Sequence, residues 1–188
     1  MYLRKRKRSM LYSVMKCFIA LTVCVSLVLC FAEDVAARAL SIHTTTAQRN
    51  AIAKNWKYYQ RGYQDYNCLA YALGNTRSWV WPWGSSPSVQ TVKNWLSKIG
   101  YANAGANTQG PFYKFTIYVY EKNGVVTHFA RTTKINGSSL GGNNRCAAKW
   151  GSCELFTHTN SNPYVKNGPY DSLSFISHSK TQPLQNYC

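Results

Sequence analysis

Apolar positions recur with helical spacing in the first part of the chain and with strand spacing after about residue 110. Ile52, Trp56, Tyr59 and Tyr63 stand at i, i+4, i+7 and i+11, which predicts a helix over residues 48–61 with a cap among residues 44–46. In the stretch 66–74, Leu69, Ala72 and Leu73 share a helical face. Asn67 suits the N-cap and Gly74 suits the position just past the end. Cys68 therefore falls in the first turn of a short helix. Val89, Val92, Leu96 and Ile99 repeat the helical spacing after Ser88, and Gly100 ends the run.

The later pattern has period two. Residues 112–122 and 125–133 flank Asn123-Gly124, the pair favoured in a type I′ hairpin turn because both positions need positive φ. A two-residue turn pairs Lys122 with Val125, Val119 with His128 and Ile117 with Ala130. Side chains alternate along a strand. One face then carries Phe115, Ile117, Val119, Val126, His128 and Ala130. The other carries Thr116, Tyr118, Tyr120, Thr127, Phe129 and Arg131. His128 is expected on the more aliphatic face, the one that packs on a helix. A third strand over 152–158 gives Glu154, Phe156 and His158 one phase, and a last strand is expected over 171–177. Residues 77–88, 102–111 and 136–144 and the tail beyond Lys180 read as loops. Helices first and strands later predict an α+β fold, with N-terminal helices packed on an antiparallel β-sheet.

The first 39 residues stand apart. Arg4 to Arg8 read RKRKR, residues 17–32 run uncharged and apolar, and Ala37-Arg38-Ala39 supplies small residues around a cleavage point. Those are the three parts of a secretory signal peptide, with cleavage placed near Ala39. The alternative is a membrane anchor over residues 17–32, a run shorter than the ~20 residues that a spanning helix needs. Residues 40–188 then form one domain, and secretion is the expected localisation.

Charge adds a constraint. The whole chain has 22 Lys or Arg against 6 Asp or Glu, a net charge of +16, and residues 40–188 keep 15 basic and 4 acidic side chains. A surplus of that size favours anionic surroundings, here an anionic cell-envelope polymer or a peptide substrate. After Arg8 the cations are spread singly, without the clustered stripe that nucleic acid requires. No basic amphipathic helix stands out for membrane insertion. Nothing in the sequence bears on the oligomeric state. Cys68, Cys146, Cys153 and Cys188 remain after the signal, and Cys146 and Cys153 are close enough to close a small disulfide loop. Their spacing is not that of a zinc site, so neither a metal nor another cofactor is expected.

One constellation carries chemistry. A cysteine opening a helix lies among unpaired amide N–H groups at the positive end of the helix dipole, which favours thiolate. A histidine on a strand packed against that helix can take and return a proton, and a third polar group can fix its tautomer. Cys68 and His128 fill the first two places, and His158 or Glu154 fills the third. Cys68 packed as an inert thiol and His128 as a core residue is the other reading of the same spacing. Trp79, Trp81 and Trp83 line a groove for sugar or peptide, or else pack over the helix pair.

The block Asn67-Cys68-Leu69-Ala70-Tyr71-Ala72-Leu73-Gly74, followed by His128-Phe129-Ala130-Arg131, Lys149-Trp150-Gly151 and His158, resembles a bacterial family of domains of unknown function. That family shares an N-C-hydrophobic-A-aromatic-A-hydrophobic-G block, a later H-x-A-R, and a K-hydrophobic-G followed by His. The element order is also similar to the NlpC-type branch of the papain-like superfamily. That resemblance implies a papain-like arrangement and a secreted thiol peptidase or amidase. The alternative function is a non-enzymatic cationic binder of envelope polymers or glycans on the same scaffold.

Overall fold

The computed structural model describes residues 38–105, 115–132, 134–135, 138–139, 146–159 and 163–179. The chain divides into two units, Met1–Arg38 and Ala39–Cys188, and every element below lies in the second. Residues 1–37 of the expected signal segment, the 106–111 and 140–144 stretches, Cys188 and the tail beyond Lys180 lie outside the described residues.

Among the described residues, three helices precede most of the strands. Helix α1 (Thr46–Ile52) starts at Thr45, whose hydroxyl accepts from the Gln48 amide while the Gln48 side chain accepts from the Thr45 amide. That capping box satisfies two otherwise orphaned donors. Helix α1 buries none of its residues and stops at Ile52. The longer helix expected over 48–61 is not formed, because residues Trp56–Gln60 are strand β1. Trp56 and Tyr58 both meet the Phe156 ring, whereas Tyr59 packs beside Tyr66 and Leu155. A strand can send neighbouring aromatics to two different clusters; a helix with all four apolar residues on one stripe cannot.

Helix α2 (Cys68–Leu73) begins at Asn67 and ends at Gly74, whose φ of 87° is the left-handed conformation that favours glycine at this position. Helix α3 (Val89–Lys98) begins at Ser88 and buries Val92 and Leu96. The strands are β1, β2 (Ala102–Gly105), β3 (Phe115–Lys122), β4 (Val125–Thr132), the short pair β5 (Lys134–Ile135) and β6 (Ser138–Ser139), β7 (Cys146–Lys149), β8 (Leu155–His158) and β9 (Ser172–Ser179). Seven of them form one sheet in the order β1-β8-β7-β4-β3-β9-β2, and every neighbouring pair is antiparallel.

This architecture corrects the expected papain-like, NlpC-type arrangement of N-terminal helices packed on a sheet. The seven-stranded antiparallel sheet is the body of the fold, and the helices among the described residues are few and short. The physical reason is that the sheet takes up segments assigned elsewhere. β1 comes from the supposed first helix, β2 from a supposed loop, and β7 from a stretch to which the spacing gives no element. With those strands paired, the sheet buries apolar side chains on both faces. One face carries Ile117, Val119, Val126, Phe129 and Phe175 under α2 and α3. The other carries Tyr118, Tyr120, Ala130, Ala148, Phe156 and Ile176 with Trp150 and Tyr164.

The hairpin starts as expected. Asn123 and Gly124 have φ of 54° and 79°, as a type I′ turn requires, and Lys122 faces Val125 and Glu121 faces Val126. The register then slips by one, so that Tyr120 faces His128, Val119 faces Phe129 and Ile117 faces Arg131. Thr127 is the extra residue of a β-bulge. Side chains have period two, so one inserted residue sends every later side chain of β4 to the face opposite the expected one.

Candidate functional site

Cys68 is placed as its sequence context demands. The Asn67 side chain accepts from the Ala70 amide at 2.9 Å and donates to the Val80 carbonyl at 2.7 Å, fixing Cys68 at the first turn of α2 and tying that turn to the tryptophan-rich loop. The thiol is buried among Ile117, Val119 and Phe129. Its pKa is pushed up to about 11 by burial, which outweighs the lowering effect of the Phe129, Leu69 and Cys68 backbone and of Lys149. A six-residue helix presents too few aligned peptides to reverse that loss of hydration. Cys68 is a protonated thiol at neutral pH.

His128 leaves the other side of the sheet. Because of the bulge it shares a face with Tyr120, its ring stacks on Tyr170 with centroids 3.8 Å apart and planes 12° apart, and Tyr164 meets it edge-on at 5.3 Å. The residue is fully buried, and neither imidazole nitrogen has a hydrogen-bond partner. Burial first, and the charge of His158 second, hold its pKa well below 6.5. Cys68 and His128 therefore lie on opposite faces, with the sheet between them, and do not form a nucleophile–base pair.

The two residues considered for the third place also have other partners. His158 sits on the His128 side, accepting from the Tyr164 hydroxyl at 2.9 Å through Nε2 and donating from Nδ1 to the Thr159 carbonyl. Burial brings its pKa down to about 4, against a smaller raising effect of that carbonyl. Glu154 is a buried anchor for the chain entering the domain. Its carboxylate accepts from the Thr44 amide and hydroxyl, and His43 Nδ1 lies 2.7 Å from it. Burial acts to raise the Glu154 pKa, but the backbone and Thr44 hydrogen bonds and Arg49 together bring it below the ordinary carboxylate value.

The tryptophans divide. Trp81 and Trp83 lie against the core, both in contact with the Phe129 ring and with each other, and Trp83 also meets Trp95. They cover α2, α3 and the sheet, and leave Trp79, 56 % exposed, as the one member of the trio facing solvent. Cys153 is a free thiol, so the small loop that the Cys146–Cys153 spacing allows is not closed by a disulfide.

Two features were not singled out by spacing. Lys149 is fully buried, its ammonium donating to the Gly151 and Cys153 carbonyls at 2.8 Å each and standing 5.1 Å from the Tyr66 ring centroid. Burial pulls its pKa down to about 8, while Cys153, Cys68, Asp65 and Glu154 act to raise it. Carbonyl oxygens and a ring face solvate this cation in place of water. The second feature is the sheet's β1 edge. Lys54, Lys57 and Arg61 are exposed along it, and Lys166 is exposed on the segment that joins Ile52 and Lys54 through Val165 and Pro163. Tyr58 is 48 % exposed among them. Folding adds Lys166 from a distant segment to three cations that are near neighbours in the sequence.

A family of domains of unknown function, DUF7689, matches residues 57–174. The chain belongs to this family. The DUF7689 match runs from β1 into β9 and contains Cys68, both buried histidines and Lys149. No curated protein and no solved structure matches the chain. Among the described residues no cluster of His, Cys, Asp and Glu could hold a metal ion, and no helix is long and apolar enough to cross a membrane.

Proposed function

We propose that this DUF7689 protein is an exported, non-catalytic module that binds anionic cell-envelope polymers through its cationic surface. The observation that carries the reading is the β1 edge, where Lys54, Lys57, Arg61 and Lys166 are exposed beside Tyr58. Residues 40–188 contain 4 acidic side chains, and the Glu154 carboxylate is used internally by Thr44 and Arg49. The surface surplus of positive charge is therefore left for an external partner. Export rests on the basic start and the uncharged run of residues 17–32. The thiol-hydrolase reading draws less support, since Cys68 and the buried His128 stand on opposite faces of the sheet.

Co-sedimentation with purified envelope polymer tests the reading. Retention is expected to fall about tenfold or more between roughly 0.05 and 0.5 M salt, as screening shortens the reach of surface charge. The triple change Lys54→Glu, Lys57→Glu and Arg61→Glu is expected to abolish it at low salt. Retention indifferent to both salt and charge reversal would overturn the proposal.

A further inference from the structure

Residues 163–171 cross the sheet face opposite α2 and α3 as a strap. Its Tyr164 ring lies against Tyr120, His128 and His158, and its Tyr170 ring stacks on His128. The strap is tied down at several points. The Lys54 amide donates to the Pro163 carbonyl and the Val165 amide to the Ile52 carbonyl. The bulge residue Thr127 donates its hydroxyl to the Tyr170 carbonyl, and the Lys122 ammonium donates to the Asn167 carbonyl. The bulge therefore does two things at once: it turns His128 under the strap and fastens the strap's far end.

The groups around His128 are chemically uniform. From β3 comes Tyr120, from β8 His158, from β7 Cys146, and from the strap Tyr164 and Tyr170. None is a carboxylate or a permanent cation. The charges of this region, the partly buried Lys122 and Asp171 and the exposed Lys166, are committed to or lie on the strap's outer turn. A neutral imidazole is tolerated there as an aromatic ring, whereas an imidazolium has two N–H donors with no acceptor. A buried unpaired charge of that kind is costly, and the cage relieves it by admitting water.

We propose that the strap over residues 163–171 is an acid-sensitive closure, released when His128 takes up a proton. His158 tolerates its own protonation better, because the Tyr164 oxygen that now donates to Nε2 can instead accept from it. The pair thus has a trigger, His128, and a hinge contact, the His158–Tyr164 bond. Opening exposes two tyrosines, two histidines and the sheet face beneath, while the hydrogen-bonded ladder of β3 and β4 stays in place. This inference does not depend on what the cationic edge binds.

Hydrogen exchange of the full chain between pH 7 and pH 4.5, corrected for intrinsic amide rates, tests it. A proton taken up only by the open form multiplies the opening constant by about ten per pH unit below about 6.5, and two such histidines by about a hundred. Protection of the 163–171 amides is expected to fall with a slope between those limits, while the β3 and β4 amides remain protected. In His128→Phe the slope is expected to drop by one proton. If that variant does not fold, proton resonances of the His128 ring in the unaltered protein decide instead. They are expected to shift only over the pH range in which strap protection is lost. Strap protection independent of pH, loss shared equally by the whole sheet, or His128 titrating near pH 6.5 with the strap closed would each overturn the proposal.

Discussion

Cys68 combines a position that favours thiolate with surroundings that forbid it, and the magnitudes decide the outcome. Backbone amides at the start of α2 lower its pKa, but burial among Ile117, Val119 and Phe129 raises it more, to about 11. The thiolate is the reactive form, and at neutral pH this places its fraction well over a hundredfold below that of an ordinary thiol of pKa ~8.5. Native protein treated with iodoacetamide at pH 7 is therefore expected to be alkylated at Cys68 at least about a hundredfold more slowly than free glutathione, as peptide mass mapping would record. Alkylation as fast as the free thiol would mean that the side chain is hydrated. His128 follows the same rule with the opposite sign, since burial favours the neutral form of a base as it favours the neutral form of an acid. Glu154 escapes it because Thr44 supplies an amide and a hydroxyl at 3.2 and 2.9 Å, donors that hydrate a carboxylate in place of water.

At the scale of elements, helix ends follow from local chemistry. Thr45, Asn67 and Ser88 all cap as their side chains allow, and Gly74 closes α2. Asn67→Ala removes the bond to the Ala70 amide and also the bond to Val80 that holds the tryptophan loop. It is expected to lower stability by about 1–2 kcal/mol, read as a reduced urea midpoint with unchanged slope. These features were visible in the sequence because a cap needs only residues within one turn. The Asn123-Gly124 turn was visible for the same reason. The register beyond it was not. A bulge at Thr127 satisfies Phe129, which joins Trp81 and Trp83, and His128, which enters the tyrosine cage. Both environments are built from residues distant in sequence. The β1 segment departs from its helical spacing for a related reason. Aromatics at Trp56 and Tyr59 fit a helical spacing by themselves, and only pairing with β8 shows that they serve two faces.

For the whole molecule, burial of two neutral histidines couples stability to pH. His158 has a pKa of about 4 when folded and about 6.5 when unfolded. Between those values the unfolded chain binds more protons, so stability is full above pH 6.5 and is lost as pH falls toward 4. The linkage amounts to roughly 3 kcal/mol for His158 alone. Denaturant unfolding at pH 7 and pH 5 is expected to show a lower midpoint at pH 5, and His158→Gln is expected to lessen the difference. Equal midpoints would show that His158 is hydrated in the native protein. Glu154 adds a second loss at lower pH, because its depressed pKa makes its stabilising contribution vanish only as the solution falls below the ordinary carboxylate range.

The linear order of residues determined what short-range forces determine: where α2 and α3 begin and end, the hairpin turn, and the total surplus of positive charge. Each depends on groups a few bonds apart or on a simple sum. The tertiary structure alone decided that the sheet, not the helices, organises the fold, that Cys68 and His128 part company, and that Lys54, Lys57 and Arg61 line one exposed edge. The reason is geometric. A strand's two faces are assigned by its neighbours, and one unpaired residue at Thr127 is enough to exchange them.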